Sequence, residues 1–292
     1  MTSTFVFTVI MFSVLGVLLA AVLYFVAQKF KVFEDPRIDE VAELLPGANC
    51  GGCGCAGCRA FAESCVGAES LDDLFCPVGG NSVMGSVAQV LGKSAAEKEP
   101  MISVLRCGGS YDKREQTNWY DGMGSCAVAA KLYDGDTACR YGCLMLGDCA
   151  RACSFGGLYL DPQTGLPVAD ESVCTACGSC VKACPKSLLE LRNKGPKGRR
   201  VYVGCHNRDK GATARKACGV ACIGCGKCVK VCSFEAISLQ DNLAYIDFTK
   251  CKLCRKCVGE CPTGAIVEVN FPPKKAVAPA PQTQEQSEKQ LS

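Results

Sequence analysis

Two cysteine runs near the C-terminus leave this chain the fewest choices. Cys222-Ile-Gly-Cys225-Gly-Lys-Cys228-Val-Lys-Val-Cys232 is followed by Cys251-Lys-Leu-Cys254-Arg-Lys-Cys257-Val-Gly-Glu-Cys261, each a C-x2-C-x2-C-x3-C pattern. Thiolates at that spacing hold a pair of [4Fe–4S] clusters: three wrap one cluster in a tight loop, and the fourth reaches across to the other. The crossing puts Cys222, Cys225, Cys228 and Cys261 on one cluster and Cys232, Cys251, Cys254 and Cys257 on its neighbour. A zinc ribbon is the competing reading. It uses two C-x2-C knuckles and has no role for four cysteines in every run.

An imperfect copy lies upstream. Cys174, Cys177, Cys180 and Cys184 repeat the pattern, while Cys143, Cys149 and Cys153 fill the first, third and fourth places of the partner run with Leu146 at the second. Cys139, four residues before Cys143, is the replacement that spacing suggests. The crossing rule then predicts one set of Cys153, Cys174, Cys177 and Cys180 and another of Cys139, Cys143, Cys149 and Cys184. Between the runs, Leu158–Asp161 and Leu166–Ala169 flank a Pro-Gln-Thr-Gly turn, and Ile237–Leu239 and Ala244–Asp247 flank Asp241-Asn242. Both read as hairpins, so one supersecondary unit is duplicated.

Nearer the N-terminus, Cys50, Cys53, Cys58 and Cys76 form a C-x2-C-x4-C-x17-C set in a glycine-rich loop, suited to a single [4Fe–4S] cluster. Cys55 could substitute for a neighbouring ligand, and Cys65 reads as a small buried hydrophobe. Helical spacing marks Arg37–Leu45, with Ile38, Val41 and Leu44 apolar, and Asn81–Leu91, with Val83, Val87, Val90 and Leu91 on one face. Met101–Arg106 reads as a short strand. Trp119, the only tryptophan, is expected to pack.

Five sets of four leave six of the 26 cysteines. Cys107, Cys126, Cys205 and Cys218 could converge on a sixth cluster, or be spare thiols or zinc ligands. So many cysteines in 292 residues mean that metal replaces much of an apolar core. A single histidine, His206, excludes Cys2His2 zinc fingers, and a net charge of +3 gives no case for nucleic acid. The stretch from Arg192 to Lys216 carries nine basic residues against one acid, Asp209. It is either a solvated loop or a patch that steers an acidic carrier protein.

Phe5 to Ala27 is uncharged and long enough to span a bilayer. Met1–Thr4 lacks the basic residues of a signal peptide, and Lys29, Lys31 and Arg37 place the bulk of the chain in the cytoplasm by the positive-inside rule. Thiols stay reduced there, so clustered cysteines read as ligands rather than disulfides. The expected fold is α+β, with these parts: a transmembrane anchor (1–28), a single-cluster domain (29–98), a connector with Cys107 and Cys126 (99–137), a bacterial-ferredoxin-like dicluster module (138–190), a basic connector with Cys205 and Cys218 (191–220), a second such module (221–270) and a disordered tail (271–292).

With the span, the Cys50–Cys58 loop, Cys76-Pro-Val-Gly-Gly and both tandems in this order, the chain resembles the B subunits of Rnf complexes, in the cysteine-rich form. Ser154 and Ser233 stand where those proteins often have proline, which touches loop rigidity and no ligand. The resemblance implies an electron-transfer subunit of a bacterial inner-membrane, Na+- or H+-translocating ferredoxin:NAD oxidoreductase. Its partners would be reduced ferredoxin, the membrane and the other subunits. No dinucleotide fingerprint is present, so NAD would be reduced elsewhere. A donor to a redox-sensing regulator and a zinc-stabilised binding module are the alternatives.

Overall fold

The computed structural model describes residues 2–29, 35–132 and 135–272. The expected tail lies, but for its first two residues, outside the described residues. Helix α1 (Thr2–Lys29) is apolar on every face, and within Phe5–Lys29, none of whose side chains is buried, an 18-residue stretch has a mean hydropathy of 2.8. By length and composition it can cross a membrane. Two of its hydroxyls are satisfied within the helix: Thr8 Oγ1 donates to the Phe5 carbonyl and Ser13 Oγ to that of Val9, both at 2.8 Å.

Three helices form the first domain: α2 (Arg37–Leu44), α3 (Cys58–Gly67) and α4 (Gly80–Leu91). Val41, Phe61, Cys65, Leu71, Met84 and Val87 are essentially water-free and close its core. Lys93 Nζ caps the end of α3 by donating to the carbonyls of Cys65 and Val66 at 2.8 Å. The buried face of α4 is Met84, Val87, Ala88 and Leu91, rotated from the expected one, and Val90 faces outward. Methionine, unbranched and adaptable, takes the buried place on this face that the valine pattern gave to Val83 and Val90.

Each of the two modules expected from the tandem cysteine runs is two small antiparallel sheets carrying two cysteine loops. In the first, β1 (Met101–Leu105) pairs with β4 (Leu189–Asn193), and the hairpin β2 (Leu158–Leu160)–β3 (Pro167–Ala169) lies alongside. The second repeats this with β5 (Arg200–Val203) on β8 (Ile266–Val269) and the hairpin β6 (Ile237–Gln240)–β7 (Leu243–Ile246). Asp241 and Asn242 both have positive φ, as a two-residue hairpin turn requires. Strands β1 and β5 come from the segments expected to be connectors. A strand buried at Ile102 and Val104, or at all four residues of β5, needs a partner, and both partners come from the far end of the module.

Four short helices follow the cysteine loops: α6 (Asp148–Arg151), α7 (Ser179–Ala183), α9 (Lys227–Val231) and α10 (Lys256–Glu260). Their second residues are Cys149, Cys180, Cys228 and Cys257, all buried. Helix α5 (Cys126–Leu132) precedes the first module's loops, and α8 (Gly211–Ala217) lies between the modules. Trp119 does not pack as expected: it is 83% exposed, in a loop with Met123, also exposed.

Candidate metal centres

The loop geometry is written in left-handed residues. The residue before the second cysteine position has positive φ in all four loops: Met145, Ala176, Gly224 and Leu253. The residue after it does so too: Gly147, Gly178, Gly226 and Arg255. Non-glycine residues in this region cost about 1–2 kcal/mol each, so the loop shape is imposed by its surroundings. The third residue beyond each fourth cysteine is also left-handed (Gly156, Ser187, Glu235 and Gly264), with its N–H donating back to that cysteine's carbonyl. The run with Leu146 keeps the whole conformation, so the missing cysteine changes the donor and not the backbone.

In the first domain Asn49 bridges the loop, accepting the Cys58 N–H at 2.8 Å and donating to the Gly47 carbonyl at 3.2 Å. Cys50, Cys53, Cys58 and Cys76 line one cavity. Cys55 is not on it; its Sγ lies 3.7 Å from the Ser64 hydroxyl. Cys65 is buried in the apolar core, where burial pushes its thiol up to about 11. Cys222, Cys225, Cys228 and Cys261 line a second cavity, the crossed set. The neighbouring set shows in the electrostatics of Cys257: burial first, then Cys251, Cys254 and also Cys232, push it up to about 12. Burial likewise raises Cys180, against a 3.3 Å hydrogen bond with the Ser103 hydroxyl, with Cys174, Cys177 and Cys153 adding to the rise.

The remaining cysteines are grouped differently from their spacing. One cavity is lined by Cys126, Cys143, Cys149 and Cys184. Another is lined by Cys107, Cys139, Cys205 and Cys218, and by Cys143, which is common to both. On cavity lining, Cys126 and not Cys139 lies with Cys149 and Cys184, and Cys139 and not Cys126 lies with Cys107, Cys205 and Cys218. The cause is tertiary. Asp148 Oδ2 accepts the Ser125 hydroxyl at 3.0 Å and the Ala127 N–H at 2.9 Å, which pins the start of α5 and Cys126 onto α6 beside Cys149. Burial alone would raise the Asp148 pKa; these bonds outweigh it and hold the carboxyl below its ordinary value.

The donors suit a cluster. Among the described residues, no three Cys, His, Asp or Glu side chains converge as one ion needs. Zinc bonding four sulfurs at about 2.3 Å would draw them to about 3.8 Å of each other. Four thiols lining one cavity match in number and kind the donors of a cubane of iron and sulfide. Burial pushes Cys205 up to about 12 and Cys149 and Cys228 up to about 11. Thiolate charge is sustained in such places opposite a cation, which iron supplies. Sequence reasoning passed over Asn207 and Asp148. Its one available signal for the second was an acid where the other loops have Ser179, Lys227 and Lys256.

Similarity to known proteins bears on these sites. Residues 45–77 match a family described as a putative Fe-S cluster, 167–189 a 4Fe-4S binding domain and 221–265 a 4Fe-4S dicluster domain. With 26 cysteines arranged as above, the chain is an iron–sulfur protein of the 4Fe–4S type. It is 39% identical over 292 residues, 99% of both chains, to the B subunit of a proton-translocating ferredoxin:NAD(+) oxidoreductase complex from Clostridium ljungdahlii. It is 43% identical over 253 residues, 87% of this chain and 74% of the relative, to the B subunit of the Na(+)-translocating complex of Acetobacterium woodii. The B subunit of an ion-translocating oxidoreductase complex from Methanosarcina acetivorans is 40% identical over 266 residues, 91% of this chain and 99% of the relative. The chain belongs to the Rnf family of ferredoxin:NAD oxidoreductase complex B subunits.

Proposed function

We propose that this chain is the electron-relay subunit of a membrane-bound, ion-translocating oxidoreductase, held in the bacterial cell membrane by α1 with its bulk in the cytoplasm. It takes electrons from reduced ferredoxin and delivers them to membrane partner subunits, while NAD is reduced on another subunit. The observation that carries this reading is the contact between successive cysteine loops. Gly52 of the first-domain loop lies so close to Cys177 that a Cβ on it would sit 2.8 Å from the Cys177 carbonyl oxygen. Within the modules, Cys180 adds to the rise of the Cys149 pKa and Cys228 to that of Cys257, so their paired thiol sets are neighbours too.

The residues that would hold the [4Fe–4S] clusters are Cys50, Cys53, Cys58 and Cys76 in the first domain and the crossed sets of the two modules. When bound, such clusters supply one-electron transfer. The chain's own part is to exclude water from the thiols, aim backbone N–H groups at the sulfurs, as Gly79 does toward Cys76 at 3.4 Å, and hold successive loops in register. Within the basic Arg192–Lys216 stretch Arg192 and Arg200 are buried, and the exposed Lys197, Arg208, Lys210, Arg215 and Lys216 form the docking side for an acidic carrier. The coupling ion is moved by partner subunits, because α1 offers no Asp, Glu, Lys, Arg or His within its apolar stretch.

The test is anaerobic purification and mixing with reduced ferredoxin. Bleaching of the broad visible absorbance, with no NAD reduction until the partner subunits are added, supports the reading. Colourless protein carrying stoichiometric zinc, or NAD reduction by the isolated chain, would overturn it.

A further inference from the structure

We propose that Cys107, Cys139, Cys205 and Cys218 form a [4Fe–4S] site at the junction of the two dicluster modules, and that Cys126 completes the set with Cys143, Cys149 and Cys184. The inference rests on the reading of the chain as a cluster carrier. It adds a junction site and reassigns two ligands.

The four junction thiols come from four separate segments, and backbone pairing brings those segments together. Gly108 N–H donates to the Gly204 carbonyl at 2.8 Å, which sets Cys107 beside Cys205. Residues 113–116 act as a splint between the other two. Gly219 N–H donates to Lys113 O at 2.7 Å and Glu115 N–H to Ala217 O at 3.4 Å, fixing Cys218 on one side. Ala138 N–H donates to Glu115 O at 3.1 Å, fixing Cys139 on the other. A Cβ on Gly109 would lie 3.5 Å from the Cys218 sulfur and 3.7 Å from that of Cys107, so the glycine lets the backbone run against both.

Asn207 ties the site together. It is 1% exposed; its Nδ2 donates to Cys139 Sγ at 3.3 Å and its backbone N–H to Cys205 Sγ at 3.5 Å, while its Oδ1 accepts the Asp209 N–H at 2.7 Å. A buried amide spending its donors on two thiols is the outer support that metal-ligating sulfur uses. Cys143 borders both cavities, but eight cysteines divide into two sets of four only if Cys143 goes with Cys126, Cys149 and Cys184.

Position gives the junction its function. Cys107 meets the first module at Cys143, whose pKa it helps to raise after burial. Cys205 meets the second at Cys222, whose backbone N–H it accepts. The site thus fills the gap between the two modules, and the line of sites runs unbroken from Cys254 to Cys50.

The experiment compares double variants of the whole chain by iron, acid-labile sulfide and zinc. Wild type should hold about 24 irons with matching sulfide. C139S/C205S should lose about four irons, because both residues serve one cluster, and C126S/C205S about eight. The spacing-based sets predict the reverse, and that result would overturn the assignment. C55S, off the first-domain cavity, should keep all its iron. If a double variant does not fold, redox titration of the single variants decides: C139S and C205S must lose the same component, and C126S a different one. About 20 irons in wild type would remove the junction site and leave the relay standing, whereas stoichiometric zinc with little iron would remove both.

Discussion

Arg192 joins the two modules, and its removal should open them selectively. The residue is on β4 of the first module, 1% exposed, with its guanidinium 5.8 Å from the ring centre of Tyr202, 5.1 Å from Tyr245 and 5.5 Å from Phe248, all from the second. It also pairs with Glu190 on its own strand. Three ring contacts by a desolvated cation are worth about 1 kcal/mol each, roughly 3 in all. The Glu190 pair adds about 1 kcal/mol, because Glu190 keeps Arg106 at 3.7 Å. Against this, the Nη1 and Nη2 atoms of Arg192 have no hydrogen-bond partner, and deleting them returns about 1 kcal/mol. Arg192→Ala should therefore cost about 3 kcal/mol, roughly a hundredfold in the opening equilibrium. Hydrogen exchange on the anaerobic holoprotein measures this directly. Amides of β4, β5 and β7 should exchange about a hundred times faster, those of α2–α4 at the wild-type rate, and Arg192→Lys should fall between. A change under threefold, or an equal rise in α2–α4, would refute the clamp.

Further outcomes follow from the same contacts. Gly52→Ala would place a Cβ 2.8 Å from Cys177 O and 2.9 Å from the Pro77 ring; it should cost about 1–3 kcal/mol and slow electron arrival at the first domain, seen by stopped-flow, with full iron content. Gly224→Ala should destabilise by about 1–3 kcal/mol in thermal melts, although Ala176 holds the equivalent place, because Asn242 O lies 2.9 Å from the new Cβ. Glu171 accepts Arg200 Nη2 at 2.6 Å and Asn270 Nδ2 at 2.8 Å. Burial pushes its pKa up, but Arg200, Asn270 and Lys194 together outweigh that and the net shift is downward. A depressed carboxylate contributes stability that is complete above its unfolded pKa and lost as pH falls through the folded one. The thermal advantage of wild type over Glu171→Gln should thus be constant near neutrality and vanish in acid; an advantage that grows in acid would contradict it.

The local half of this molecule was legible. Cysteine spacing encodes a loop that closes within a dozen residues, so the shared cavity of Cys222, Cys225 and Cys228 could be read directly, and the crossing rule added Cys261 to it. Spacing carries no information about Cys126 and Cys139, which are sorted by a carboxylate on α6 and a splint at 113–116, both distant in sequence from the thiols they place. The pairing of β1 with β4 is of the same kind, since a short apolar strand names no partner. Trp119 failed for another reason: the tendency of large aromatics to be buried is an average, and a loop residue on a small metal-stapled domain has little core to enter.

The pairing of β5 with β8 also sets an order of manufacture. β4 closes the first module long before the ribosome reaches the end of the second. β5, however, emerges at residue 200 and finds its partner only when Ile266–Val269 has been made. Until then Val201, Tyr202 and Val203, all buried in the finished protein, form an open apolar strand edge. A chain that stalls or is cut within this interval carries a sticky edge at its most basic stretch. The second module is thus the part of the chain that stays longest as an unfinished sheet, open to mispairing while it waits for its last strand.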